Sequence, residues 1–96
     1  MYFLVLLTER PGVAEPPPEH EPFVDSLIER GLVLLGGPLG ETPSVGYVLR
    51  CGSLADARAV VATDPLVGSG AFDASVAEWD LVGIDLRLVD PDLVVG

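Results

Sequence analysis

His20 is the only histidine in the chain, and Asp64 stands before a proline in the stretch "TDPLVGSG" (63–70). An imidazole has an ordinary pKa of about 6.5, so it can take or give a proton near neutrality. A carboxylate on one ring nitrogen fixes the tautomer and balances the charge of the protonated ring, which makes a His–Asp pair a general acid/base. Glycines beside such a pair, as in "LGGP" (35–38), let a ligand approach backbone N–H groups. "GGPLG" is not a phosphate loop, because it opens no helix and no lysine follows it. Each feature also has an ordinary explanation: a histidine at a helix start is often a cap, and Asp-Pro is common turn chemistry. Their weight depends on whether the fold brings them together.

The elements around them can be read from pattern. "YFLVLLT" (2–8) is a short apolar run rich in strand formers, read as a central strand buried on both faces. "ERPGVAEPPPE" (9–19) is a stiff loop, partly extended near Pro16–Pro18. In "HEPFVDSLIERG" (20–31), Phe23, Val24, Leu27 and Ile28 recur at helical spacing, and Gly31 is the C-cap. Pro22 fits only the first turn, so His20 lies at or just before the helix N-terminus. "LVLLGGP" (32–38) and "GYVLRC" (46–51) are strands, joined by the loop "LGETPSV". "GSLADARAVVAT" (52–63) is a helix with Ser53 as N-cap, Asp56 three residues on, and a buried stripe of Leu54, Ala57, Val60 and Val61. A glycine-punctuated loop follows Asp64–Pro65, and "FDASVAEWDLVGIDLRL" (72–88) reads as extended from its alternation. "DPD" (90–92) is a turn, and "LVVG" ends the chain.

The order β-α-β-β-α-β with a C-terminal extension predicts an α+β, ferredoxin-like fold in a single domain over 1–96, with 84–96 as the extension. Chain direction then puts the start of the first helix, the end of the second strand and the end of the second helix at one end of the domain. His20, Gly36–Gly37–Pro38 and Asp64 converge there from connectivity alone.

Composition narrows the function classes. Five basic residues face fifteen acidic ones, for a net charge of −10. The five are all arginines and are scattered, so no basic patch can neutralise phosphates; nucleic acid and anionic membrane are not expected partners. Acidity of this kind commonly serves solubility. Hydrophobic residues reach 49% and mean hydropathy +0.47, high for so short a chain, which predicts that a second copy covers apolar surface. One cysteine, Cys51, allows no intrachain disulfide and reads as a small core or strand residue; its spacing gives no support to a pair with His20. "MYFLVLL" lacks the basic start and cleavage site of a secretory signal, and no apolar run nears the roughly 18 residues of a spanning helix. A cytoplasmic location is expected. One His and one Asp fall short of a zinc shell, and Glu19 and Glu21 flank His20 at positions that rarely point the same way. Neither a metal nor a cofactor is expected.

Together these pieces resemble the YciI-like (YCII-related) family of small bacterial proteins. The match is His20 with its helix to Gly31, then "LVLLGGP", "SLADARAVVATDP" and "GSGAFDASVAEW", and it runs to about residue 83. The resemblance implies a ferredoxin-like fold of the dimeric α/β barrel type, in which two sheets pack face to face. Members carry a His and an Asp to which catalysis is ascribed, here His20 and Asp64. The family includes a dehalogenating lyase, and its wider relatives include lactone isomerases. The chain departs from the pattern in three places. Pro17 stands where an arginine is common, Leu66 follows Asp-Pro where an aromatic is usual, and the tail from Ile84 exceeds the common core.

The resulting expectation is a small cofactor-independent lyase or isomerase. His20 acts as general acid/base, Asp64 orients it, and Gly36, Gly37, Pro38 and Leu66 contact a small organic substrate. The alternatives are a non-catalytic dimeric module that holds a small metabolite in the same pocket, and a purely structural dimer. Partners are then a second copy and an unknown small molecule. The tail is expected to add a strand or arm to the dimer interface.

Overall fold

A computed structural model describes residues 1–11, 20–40 and 44–93. The segments read above as loops at 12–19 and 41–43, with residues 94–96, lie outside these. β1 (Tyr2–Glu9), α1 (His20–Glu29), β2 (Val33–Pro38), β3 (Ser44–Arg50), α2 (Leu54–Ala62), a one-turn helix α3 (Pro65–Gly68) and β4 (Phe72–Trp79) follow in order. The four strands form one sheet in the order β2-β3-β1-β4, each neighbour antiparallel. This is the α+β, ferredoxin-like arrangement, with β1 central.

Local chemistry fixes the helices that matter for the site. α1 admits Pro22 because its first turn has no N–H obligation there. It ends where Gly31 takes φ +71, with Gly31 N–H donating to the Ile28 carbonyl at 2.9 Å and Leu32 N–H to the Leu27 carbonyl at 3.0 Å. That paired closure is the Schellman motif. It turns the chain directly into β2 and seats Leu27 in the core. α2 starts where Ser53 Oγ accepts from Asp56 N–H at 3.1 Å, and it buries Ala57 and Val61.

The core lies between the helices and one sheet face. Phe3, Val5 and Leu7 of β1 and Tyr47 and Leu49 of β3 meet Leu27, Ala57, Val61 and Leu66. In β2 the register against β3 shifts between Val33 and Leu35. This bulge turns Leu35 onto the open face beside Val48 and brings Gly36 onto the helix face beside Tyr47.

Three expectations change. β1 is not buried on both faces: Phe3, Val5 and Leu7 are enclosed, but Leu6 is exposed, because the helices cover one face only. Residues 65–68 are not loop; Pro65 at the first helical position and Asp64 as N-cap make a turn of helix. The extended run stops at Trp79, and no strand occurs over residues 84–93. Instead Asp85 accepts from both the backbone N–H and the guanidinium of Arg87, and this local pairing closes a single 3-10 turn at Leu86–Leu88. Val82, Leu86 and Leu88 are left exposed. Among the described residues, no helix is long and apolar enough to cross a membrane.

Gly31 and Gly37 separate two uses of glycine, since a Cβ meets nothing within 4 Å at either position but only Gly31 has positive φ. Gly31→Ala is expected to cost about 1 kcal/mol through backbone strain. Gly37→Ala should be neutral or stabilise by up to about 1 kcal/mol, by restricting the unfolded chain. Chemical denaturation of the two variants checks this; equal losses would place the effect elsewhere than in φ.

Candidate active site

The topology brings the start of α1, the end of β2 and the corner between α2 and α3 to one end of the sheet. Asp64 occupies that corner at 0% exposure. Its Oδ1 lies 2.9 Å from His20 Nδ1 and also accepts from Leu66 N–H at 2.9 Å. Its Oδ2 accepts a longer hydrogen bond, 3.5 Å, from the Tyr47 hydroxyl. Asp64 thus caps α3 and holds the imidazole with the same oxygen, while β3 reaches its second oxygen.

With Nδ1 donating to a carboxylate, the neutral ring carries its lone pair on Nε2. Nε2 makes no hydrogen bond within the described residues, and none of their buried side-chain nitrogens or oxygens lacks a partner. Nε2 is therefore accessible; the side chain of His20 is 16% exposed and lines a cleft of about 350 Å³ between α1 and β2. Val24 and Ile28 of α1 form one wall, and Val33, Gly36, Gly37 and Pro38 of β2 form the other, with Val45 beyond them. Glu21 and Asp25, one turn apart on α1, also line it.

The residues singled out in the sequence divide clearly. His20 and Asp64 are in direct contact, and Gly36, Gly37 and Pro38 line the cleft that His20 faces. Leu66 is elsewhere: it is 1% exposed, packed in the core, and touches the site only through its backbone N–H on Asp64. Cys51 follows the far end of β3, and its thiol pKa is raised, chiefly by burial and then by Asp56, so it is no activated nucleophile. No group of His, Cys, Asp and Glu among the described residues is placed to hold a metal.

Tyr47 escaped the sequence reading. In "GYVLRC" it looks like any aromatic on a strand, and nothing local pairs it with Asp64. The available signal was Gly36. A Cβ there would come within 2.6 Å of Tyr47 Cβ, so the first glycine of "GGP" serves close approach to Tyr47.

Burial, followed by the Asp64 charge and its hydrogen bond, pushes the Tyr47 phenol well above its ordinary range. A folded-state pKa above the unfolded value of about 10 makes the native state hold its proton longer, so stability is full below that pH and falls as pH rises beyond it. Tyr47→Phe is expected to remove this alkaline loss while costing about 1–3 kcal/mol at neutral pH, since it leaves one oxygen of a buried carboxylate without its donor. Denaturation midpoints across alkaline pH in both proteins check it; parallel curves would mean that another group drives the loss.

No family model matches the chain. The uncharacterized protein YjpA of Bacillus subtilis (strain 168) is 32% identical over 62 residues, spanning 65% of this chain and 73% of YjpA. Among solved structures, 5-chloro-2-hydroxyhydroquinone dehydrochlorinase (TftG) from Burkholderia phenoliruptrix AC1100, in complex with 2,5-dihydroxybenzoquinone, superposes with a TM-score of 0.67. That alignment covers 83% of this chain and 94% of the enzyme at 22% identity, so it establishes a shared fold. On the sequence identity and coverage, this chain belongs to the family of YjpA.

Proposed function

We propose that the chain is a small acid/base enzyme of the YCII-related family, acting without a cofactor on a small organic molecule as a lyase or isomerase. One observation carries the reading: the only imidazole of the chain is held at 2.9 Å by a fully buried carboxylate and faces a largely apolar cleft. Nε2 of His20 takes a proton from a substrate carbon or hydroxyl and returns it at a second position or to a leaving group. Asp64 keeps Nδ1 protonated throughout, and its charge lies beside the ring when the ring becomes cationic. Leu66 N–H and the Tyr47 hydroxyl hold the carboxylate, so the base is preorganised. Gly36, Gly37 and Pro38 give substrate a flat approach along β2. The shared fold with a dehydrochlorinase of small ring substrates supports the same class of chemistry here.

The working form is a cytoplasmic homodimer through the open sheet faces. Leu6, Leu35 and Trp79 stand uncovered on that side, with the exposed tail residues Val82 and Ile84 beside them. A sheet this apolar is stabilised by a second copy. Sedimentation should give twice 10.1 kDa at micromolar concentration, and truncation after Gly83 should weaken the association. A clean monomer would remove the barrel assembly, and equal affinity after truncation would remove the tail from the interface.

The chemistry is tested by following chloride release from 5-chloro-2-hydroxyhydroquinone, and deuterium uptake from D₂O into a panel of small hydroxylated rings and lactones. With whichever compound turns over, His20→Ala should lower the rate by about 10²–10⁴-fold and abolish one ionisation in the pH–rate profile. Asp64→Asn should act in the same direction while retaining the α3 cap through its amide oxygen. Full turnover in His20→Ala would end the proposal.

A further inference from the structure

We infer that the cleft selects uncharged or cationic small molecules and rejects carboxylates and phosphates, a specificity set by Glu21 and Asp25. This rests on the reading of the cleft as the substrate site. Both side chains line the cleft, one helical turn apart on the face of α1 that also carries His20. Neither makes an ion pair or hydrogen bond within the described residues, so both charges act on whatever enters. Opposite them stand the apolar side chains of Val33, Pro38 and Val45, with no basic side chain among them.

No arginine of the chain answers them. Arg10 is paired with Asp73, and Arg87 with Asp85. Arg30 follows the C-terminal end of α1, about 15 Å from His20 at 1.5 Å per residue. Arg50 ends β3 on that same far side, and Arg58 projects from α2 and does not line the cleft. These five are all the basic side chains of the sequence besides His20 itself. The start of α1 contributes roughly half a positive charge, which two carboxylates in the first two turns outweigh. The remaining walls are aliphatic and the volume, about 350 Å³, lies at the small end of ligand sites. The fitting ligand has an apolar body of about one ring and a hydroxyl or amine rather than an acid group.

The test uses three probes of one shape on the full chain: benzylamine, benzyl alcohol and benzoate, titrated at low salt while NMR follows the amides of Gly36, Gly37 and Val24. Benzylamine and benzyl alcohol should shift these resonances, with benzoate at least about tenfold weaker than benzylamine. Glu21→Gln/Asp25→Asn should bring benzoate to within about threefold of benzylamine. The net charge of −10 alone disfavours anions, so a distal variant serves as control. Asp80→Asn/Asp92→Asn makes the same change in net charge, with Asp80 just past the far end of β4, and should leave the ratio unchanged. Benzoate binding as well as benzylamine, or an equal effect of the distal pair, overturns the charge selection and leaves the acid/base reading standing. Absence of any shift with all three probes overturns both.

Discussion

A carboxylate with no exposure to solvent is the constraint around which this small domain is arranged. Burying such a group is costly unless its oxygens are met by donors. Asp64 is met by three, and each comes from a different element: the His20 ring from α1, the Leu66 backbone from α3 and the Tyr47 hydroxyl from β3. Removing one donor leaves part of a buried carboxylate unsatisfied, which costs more than the bond itself contributes. The corner at 63–66, the start of α1 and the middle of β3 are thereby locked to each other. The accessible nitrogen of His20 inherits that rigidity.

The same requirement explains Gly36 better than ligand approach does. Tyr47 reaches Asp64 from a strand whose neighbour, β2, pairs Gly36 directly with it. Any side chain at Gly36 would strike Tyr47 Cβ at 2.6 Å and the Gly46 carbonyl at 3.0 Å. The bulge at Leu34 brings Gly36 to the helix face beside Tyr47, and the absence of a side chain there leaves room for the Tyr47 Cβ. Gly37 has no such neighbour and simply leaves the cleft wall low. Two adjacent glycines of one motif therefore have separate causes, one in the packing of the carboxylate's partner and one in the shape of the opening.

How much of this was legible in the sequence follows from the range of each interaction. Period and capping are local, so α1, α2, Gly31 as C-cap and Ser53 as N-cap could be read directly. The meeting of His20 and Asp64 is long-range, yet it follows from connectivity: once the order of elements is fixed, strand and helix directions place the ends. Tyr47 was not legible, because alternation predicts only that it faces the core, not which polar group lies above it. Leu66 was misplaced because the turn of helix that Asp64 caps carries its side chain inward. The tail alternates like a strand, but a strand exists only against a partner. Within one chain Asp85 finds a nearer bond with Arg87.

The two faces of the sheet separate what the protein holds together from what it presents. Gly36, Tyr47 and the His20–Asp64 contact all lie on the helix side. Leu6 and Trp79 lie on the other by period-two alternation, and Leu35 joins them because the bulge in β2 shifts its register. A second sheet packed there would rigidify β1 and β3 from behind without crossing the cleft between α1 and β2. Since β3 carries Tyr47, the sheet meets Asp64 directly through that hydroxyl, and Asp64 in turn meets the ring. In a chain of 96 residues with a modest core, the His20 ring is fixed in one geometry by its bond to a carboxylate that three elements hold.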